Sequence, residues 1–160
     1  MGSKSQHTGK YALITGATSG FGYEFAKLFA REGYHLVVVA RNEEKLRELS
    51  ADISQSFMVE VLPINKDLFK VTAAEEIYAE LQSKGIPMDV LLNDGGHGDH
   101  GTFIEYDIGR DIDMIQLNIT AVVSLTKLFL RDMVTRNEGK ILQVASLLGK
   151  YPTPLMTVYA

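Results

Sequence analysis

The sequence predicts an α/β fold built on a doubly wound parallel sheet, and three observations carry that prediction. Short β-branched runs alternate with amphipathic helical patterns along the chain. The first run, Tyr11-Ala-Leu-Ile14, leads into glycines at Gly16, Gly20 and Gly22 and then into a helix. The second run, His35-Leu-Val-Val-Val-Ala40, is continuously apolar, as a parallel strand covered on both faces must be.

Each element has its own justification. After the glycines, Phe21, Phe25, Leu28 and Phe29 recur at helical spacing and are expected to form the inner face of the first helix, which Gly33 stops. Asn42 is placed to cap the second helix, with Glu43 and Glu44 in its first turn and Leu46, Leu49 and Ile53 facing inward. Residues 58–63 read as a third strand ended by Pro63. Thr72-Ala-Ala-Glu75 fits a capping box for a third helix with Ile77 and Leu81 inside. Val90-Leu-Leu92 is a fourth strand. A long helix from about Ile108 carries Ile112, Ile115, Ile119, Val122 and Leu125 or Thr126 on one stripe and ends at Gly139. Residues 140–145 make a fifth strand, and the tail to Ala160 is a proline-containing loop that can enter a helix near Val158.

Composition removes several function classes. The chain has 160 residues, 46% of them apolar, and a net charge of −4. That length supports one domain burying roughly 70% of its unfolded surface. Without a basic excess or a Lys/Arg cluster, nucleic acid and anionic membranes are not expected partners. No cysteine is present, which excludes disulfides, thiolate metal sites and a cysteine nucleophile. No uninterrupted apolar run reaches the roughly 20 residues of a membrane span. Residues 1–9 read as a polar, disordered lead without the apolar core of a signal peptide, and residues 10–160 as one domain. A cytoplasmic location is expected.

The chemistry-bearing residues fall after strand ends, where doubly wound sheets bind ligands. Strand, glycine turn and helix at residues 11–29 offer backbone N–H groups and a positive helix end to a phosphate. Arg41 follows the second strand with no acid before Glu43, which favours the 2′-phosphate of NADP over the 2′-hydroxyl of NAD. Gly95, Gly96, Gly98 and Gly101 leave the loop after the fourth strand bare enough for close passage of a ligand. His97, Asp99 and His100, with Asp94, lack the rigid support a metal site needs, and no metal is expected. Ser146 does not sit in a G-x-S-x-G elbow, so a serine hydrolase is disfavoured. A serine orienting a carbonyl, with Tyr159 thirteen residues on moving its proton, suits a nicotinamide reaction better.

Taken together, Thr15-Gly-Ala-Thr-Ser-Gly-Phe-Gly22, Asn93-Asp-Gly-Gly96, Asn118, Ser146 and Tyr159 resemble the short-chain dehydrogenase/reductases, across essentially the whole chain after residue 9. The resemblance implies a Rossmann fold and an oxidoreductase that passes hydride between NADP and a carbonyl/alcohol substrate. It implies cofactor contacts from Gly16, Thr18, Ser19, Gly20, Phe21, Gly22, Arg41, Asp67, Asn93 and Gly95. Asn118 would face the cofactor, Ser146 would hold the substrate oxygen and Tyr159 would be the general acid or base. A homo-oligomer is implied as well. The alternative is a non-catalytic NADP-binding module or sensor.

Two departures from that family qualify the expectation. The usual Asn-Asn-Ala-Gly reads Asn93-Asp94-Gly95-Gly96, which places a charge in the turn. The family's lysine, four residues after the tyrosine, would fall beyond Ala160. The five strands are therefore expected to be the nucleotide-binding part of a longer chain with its later strands missing, leaving Ile141, Leu142 and Val144 on an open edge.

Overall fold

The computed structural model describes residues 9–160, so the expected N-terminal lead lies outside the described residues except for Gly9. Five strands form one parallel sheet: β1 (Tyr11–Thr15), β2 (His35–Ala40), β3 (Val61–Asn65), β4 (Val90–Asn93) and β5 (Lys140–Gln143). Their order is β3-β2-β1-β4-β5. Helices α1 (Gly20–Arg31) and α2 (Glu43–Phe57) cover one face. The other face carries α3 (Ala73–Ser83) and a long helix made of α4 (Ile108–Ile115), a π-helical segment (Gln116–Ala121) and α5 (Val122–Arg136). This is the doubly wound fold that the alternation predicts.

Period-two alternation of the strands sorts the core into two layers. Leu13, Val37, Val39 and Leu91 pack toward α3 and α5, whereas Ala12, Ile14, Leu36, Val38 and Leu92 pack toward α1 and α2. Because both layers are apolar, the inner strands show no alternation in sequence, as the continuous run of β2 indicated.

Four expectations are corrected. The inner line of α1 is Gly22, Ala26 and Ala30, while Phe21 is 70% exposed and Leu28 is 49% exposed. Small residues let α1 approach the sheet closely, and Phe25 and Phe29 only flank that contact. The third strand starts at Val61 rather than residue 58, because Met58 is the left-handed C-cap of α2. Pro63 lies inside β3 and does not end it. It is tolerated there because β3 is an edge strand, with β2 as its only partner among the described residues. Thr72 makes no cap to a backbone N–H; its hydroxyl instead donates to Glu76 at 2.6 Å.

The largest correction concerns the long helix. Its buried line is Met114, Leu117, Ala121, Leu125, Phe129 and Met133; of the expected stripe Leu125 is buried, whereas Ile112, Ile115 and Ile119 are exposed. Two apolar stripes run along this helix, and periodicity alone could not select the one that meets the sheet. Ile108–Arg136 contains an 18-residue window of mean hydropathy 1.3, long and apolar enough to cross a membrane by length and composition; here one stripe of the helix lies in the core. The stripes make a direct test. Leu125→Ala is expected to cost about 2–5 kcal/mol in urea unfolding, and Ile119→Ala about 0.5 kcal/mol or less. Equal costs would refute the assignment.

The helix also ends earlier than expected. Asn137 takes the left-handed conformation after Arg136, two residues before Gly139. β5 stops at Gln143, has β4 as its only strand partner among the described residues, and leaves Leu142 exposed. Beyond it the chain forms a 3-10 turn at Leu147–Gly149 and further turns; a single Ala160 N–H to Met156 C=O bond stands where a helix was anticipated.

Candidate functional site

The cleft is assembled at the carboxyl ends of β1, β2, β3 and β4. Gly16 leaves β1 at φ +69° and is tied to β2 by its N–H to the Val39 carbonyl at 3.0 Å. Gly20 opens α1 at φ +55°. Gly22 has no room for a side chain, since an added Cβ would stand 2.5 Å from the Gly16 carbonyl oxygen. The three glycines therefore have distinct reasons: two need left-handed backbone, and one permits helix–turn contact.

On the β4 side, buried Thr15 is the hinge. Its Oγ1 accepts from the N–H groups of Asp94 and Gly95, each at 3.0 Å. This draws the β4 loop against the glycine turn so closely that a Cβ on Gly16 would lie 3.0 Å from Gly95 Cα. Asp94 Oδ2 accepts from the Gly22 N–H at 2.7 Å. Burial holds the Asp94 carboxyl above the usual carboxylate range, an effect opposed by that Gly22 N–H.

Between these elements lies a cavity of ≈ 680 Å³, well inside the roughly 300–1,000 Å³ range of small-molecule and cofactor sites. Of the residues expected to meet a cofactor, Gly16, Thr18, Ser19, Gly20, Phe21, Arg41, Asp67 and Gly95 line it. Gly22 and Asn93 do not. Gly22 faces inward under the turn, and Asn93 is buried with its Nδ2 donating to Gln143 Oε1 at 2.9 Å and Thr126 Oγ1 at 3.3 Å. Asn93 thus ties β4 to β5 and α5.

Arg41 lies over the Phe69 ring, its guanidinium carbon 4.7 Å from the ring centroid. Lys45 and Lys66 line the same cavity. Sequence reasoning missed Lys45, Lys66, Phe69, Asp94 and Leu117 as lining residues, and Thr15 as the hinge. Lys45 had a legible signal, standing in the first turn of α2 three residues after its cap, where Asn42 Oδ1 accepts the Lys45 N–H at 2.9 Å. Phe69 had none, because its stacking partner is 28 positions away in sequence.

The other three candidates lie outside the cavity lining. Asn118 sits in the π-helical segment and clamps the β4 loop: its Oδ1 accepts the His97 N–H at 2.9 Å and its Nδ2 donates to the His97 carbonyl at 2.7 Å. Such insertions into an α-helix often mark functional positions. Tyr159 packs on the next residues of that loop, where a Cβ on Gly98 would be 3.0 Å from its ring. Ser146 is exposed beyond β5, its Oγ accepting the Leu148 N–H at 3.2 Å. The structure therefore gathers Asn118 and Tyr159 on loop residues 97–98. The loop's histidine is paired too, His97 Nε2 lying 3.1 Å from Asp99, which Arg110 also holds at 2.9 Å.

A dinucleotide fits the residues present. Left-handed glycines, the N-terminus of α1 and the hydroxyls of Thr18 and Ser19 suit a pyrophosphate, and Arg41 and Lys45 suit a further phosphate, while the Lys66 ammonium is paired with Glu76 at 2.7 Å. Fold and cleft together define a Rossmann-type α/β domain. The profile described as short chain dehydrogenase matches residues 10–160, and the chain belongs to that family.

Among its relatives, very-long-chain 3-oxoacyl-CoA reductase-B of Danio rerio is 37% identical over 98% of this chain and 51% of its own length. The Homo sapiens very-long-chain 3-oxoacyl-CoA reductase is 33% identical over 95% of this chain and 49% of its own. The chain thus spans about half the length of these curated relatives. L-sorbose reductase from Gluconobacter frateurii, solved with NADPH and L-sorbose, superposes with a TM-score of 0.90 at 30% identity, covering 97% of this chain and 59% of that one. An NAD+-bound xylitol dehydrogenase superposes with a TM-score of 0.85 at 26% identity, covering 96% of this chain and 59% of that one. Both forms of the cofactor occur among the neighbours, so the choice between them rests on this chain's own cleft.

Proposed function

We propose that this chain is the nucleotide-binding part of an NADP-dependent oxidoreductase that interconverts a ketone and a secondary alcohol. One observation carries the cofactor choice: Arg41 is stacked on Phe69 at the end of β2, with Lys45 and Lys66 beside it in the cleft and no carboxylate directly after the strand. The substrate class draws support from the relatives, whose names specify 3-oxoacyl-CoA reduction, and from a neighbour solved with L-sorbose.

In this reading the glycine turn and α1 hold the pyrophosphate, and Arg41 with Lys45 holds the 2′-phosphate. Asp67, at the end of β3, meets the adenine side. Bound there, the nicotinamide supplies or accepts the hydride. Asn118 acts at one remove, by fixing the loop that carries Gly95 and Gly96. Ser146 hydrogen-bonds the substrate oxygen. Tyr159 moves its proton.

A second reading, a nucleotide-binding module without turnover, is favoured by a specific observation: neither Ser146 nor Tyr159 lines the cavity. Two measurements separate the readings. NADPH fluorescence should rise on titration with the protein at concentrations where NADH gives little change. NADPH oxidation with a panel of ketones should then be detectable and fall at least about 100-fold in Tyr159→Phe, the scale of a lost general acid. Binding without oxidation supports the module; undiminished oxidation by Tyr159→Phe removes that residue from the chemistry.

A further inference from the structure

We propose that Asp94 opposes the dinucleotide's pyrophosphate inside the cleft, so that dinucleotide affinity falls as pH rises and Asp94→Asn strengthens binding. The inference rests on the nucleotide-binding reading above. Asp94 lines the same cavity as Gly20 and Phe21, and its Oδ2 accepts the Gly22 N–H at 2.7 Å in the first turn of α1. That helix has no acidic residue of its own in its first turn, and Ser19 makes no side-chain cap. The fold thus brings in, from β4, an anion against the first turn of the helix whose N-terminus a pyrophosphate would use. Carboxylate and pyrophosphate share one positive helix end and repel each other across it.

Among the described residues, nothing close to Asp94 neutralises that charge. On the side of β1, residues 15–22 contain no charged group, and neither do residues 144–149 beyond β5 or the π-helical segment that bears Leu117 and Asn118. On its own loop His97 is engaged with Asp99, as is Arg110 from α4. Arg41, Lys45, Lys66 and Asp67 line the cavity at the ends of β2 and β3, which β1 separates from β4. Burial already disfavours the ionised carboxyl, and an adjacent bound anion disfavours it further. Binding therefore takes up a proton, and affinity declines as pH climbs from acid through the range where Asp94 ionises.

Asparagine keeps an oxygen for the Gly22 N–H and removes the charge, turning the other carboxylate oxygen into an amide donor. At neutral pH, Asp94→Asn is expected to bind NADPH and NADH roughly threefold to tenfold more tightly, the size of one like-charge repulsion in a partly hydrated cleft. Its affinity should also depend less on pH. NADH matters here because it lacks the 2′-phosphate, whose own titration near pH 6 would overlap. Stability offers a parallel readout. A raised carboxyl pKa gives stability that is full at acid pH and lost as pH rises through the folded value, so the gap in melting temperature favouring Asp94→Asn should widen toward neutral pH.

The test is titration of the full chain, wild type and Asp94→Asn, with NADPH and NADH from acid to neutral pH. Calorimetry in two buffers of different ionisation enthalpy counts the protons taken up. Tighter, pH-flattened binding by Asp94→Asn, with proton uptake by the wild type only, supports the inference. Wild-type binding of NADH without proton uptake overturns it, whether or not the variant folds. So does a variant that binds no more tightly and with an unchanged pH slope. If the wild type binds neither nucleotide at any pH, the nucleotide-binding reading falls, and this inference with it.

Discussion

Replacing Gly22 with alanine is expected to destabilise the fold by about 1–3 kcal/mol and to weaken NADPH binding by about 100-fold or more. The reason is geometric. The added Cβ would lie 2.5 Å from the Gly16 carbonyl oxygen and 2.8 Å from Asp94 Oδ2. The first of these atoms is backbone and has little room to yield, because Gly16 is tied to Val39 and crowded by Gly95. Relief must come from moving α1 away from the turn, which separates the helix N-terminus from the phosphate site it builds. Gly20→Ala is the control. Gly20, unlike Gly22, has a positive φ, but an added Cβ meets nothing within 4 Å. Its cost should be only the roughly 1–2 kcal/mol of left-handed backbone. Thermal melting and NADPH titration of the two variants check this. If Gly20→Ala is as damaging to binding as Gly22→Ala, close packing is not the decisive role of Gly22.

Arg41→Ala is the second large effect. We expect NADPH affinity to fall roughly 30- to 150-fold, matching the loss of about 2–3 kcal/mol of charge-assisted hydrogen bonding. NADH affinity should change by less than about threefold, since the 2′-hydroxyl does not need the cation. Arg41→Lys should fall between, because an ammonium keeps the charge but cannot stack its plane on Phe69. Separate titrations with NADPH and NADH at one ionic strength decide it. Equal losses for the two nucleotides would show that Arg41 contributes only general positive potential.

The residues differ in how much of their role could be read before folding. Gly16, Gly20, Phe21 and Arg41 were legible because their tasks are local: a turn, a helix start, a strand end. Asn118 was legible as a position and not as a contact, since its partner His97 is 21 residues away. The family resemblance implied that Asn93 meets the cofactor, yet its side chain points to β5 and α5. The capping box at Thr72 failed because Glu76 captured the hydroxyl that the backbone was expected to bond.

What the sequence by itself determined is the architecture: five strands, their parallel pairing and the loop ends where a ligand sits. Period-two and period-3.6 patterning are properties of consecutive residues, and they suffice for that much. Only the tertiary structure decided which stripe of the long helix is buried, that α1 meets the sheet through Gly22, Ala26 and Ala30, and that Pro63 rides an edge strand. It alone put Asp94 on the Gly22 N–H, 72 residues away, and Phe69 under Arg41. Those contacts depend on the distance between separate elements, and that distance is set when the layers pack, by the volumes of side chains that never neighbour one another along the chain.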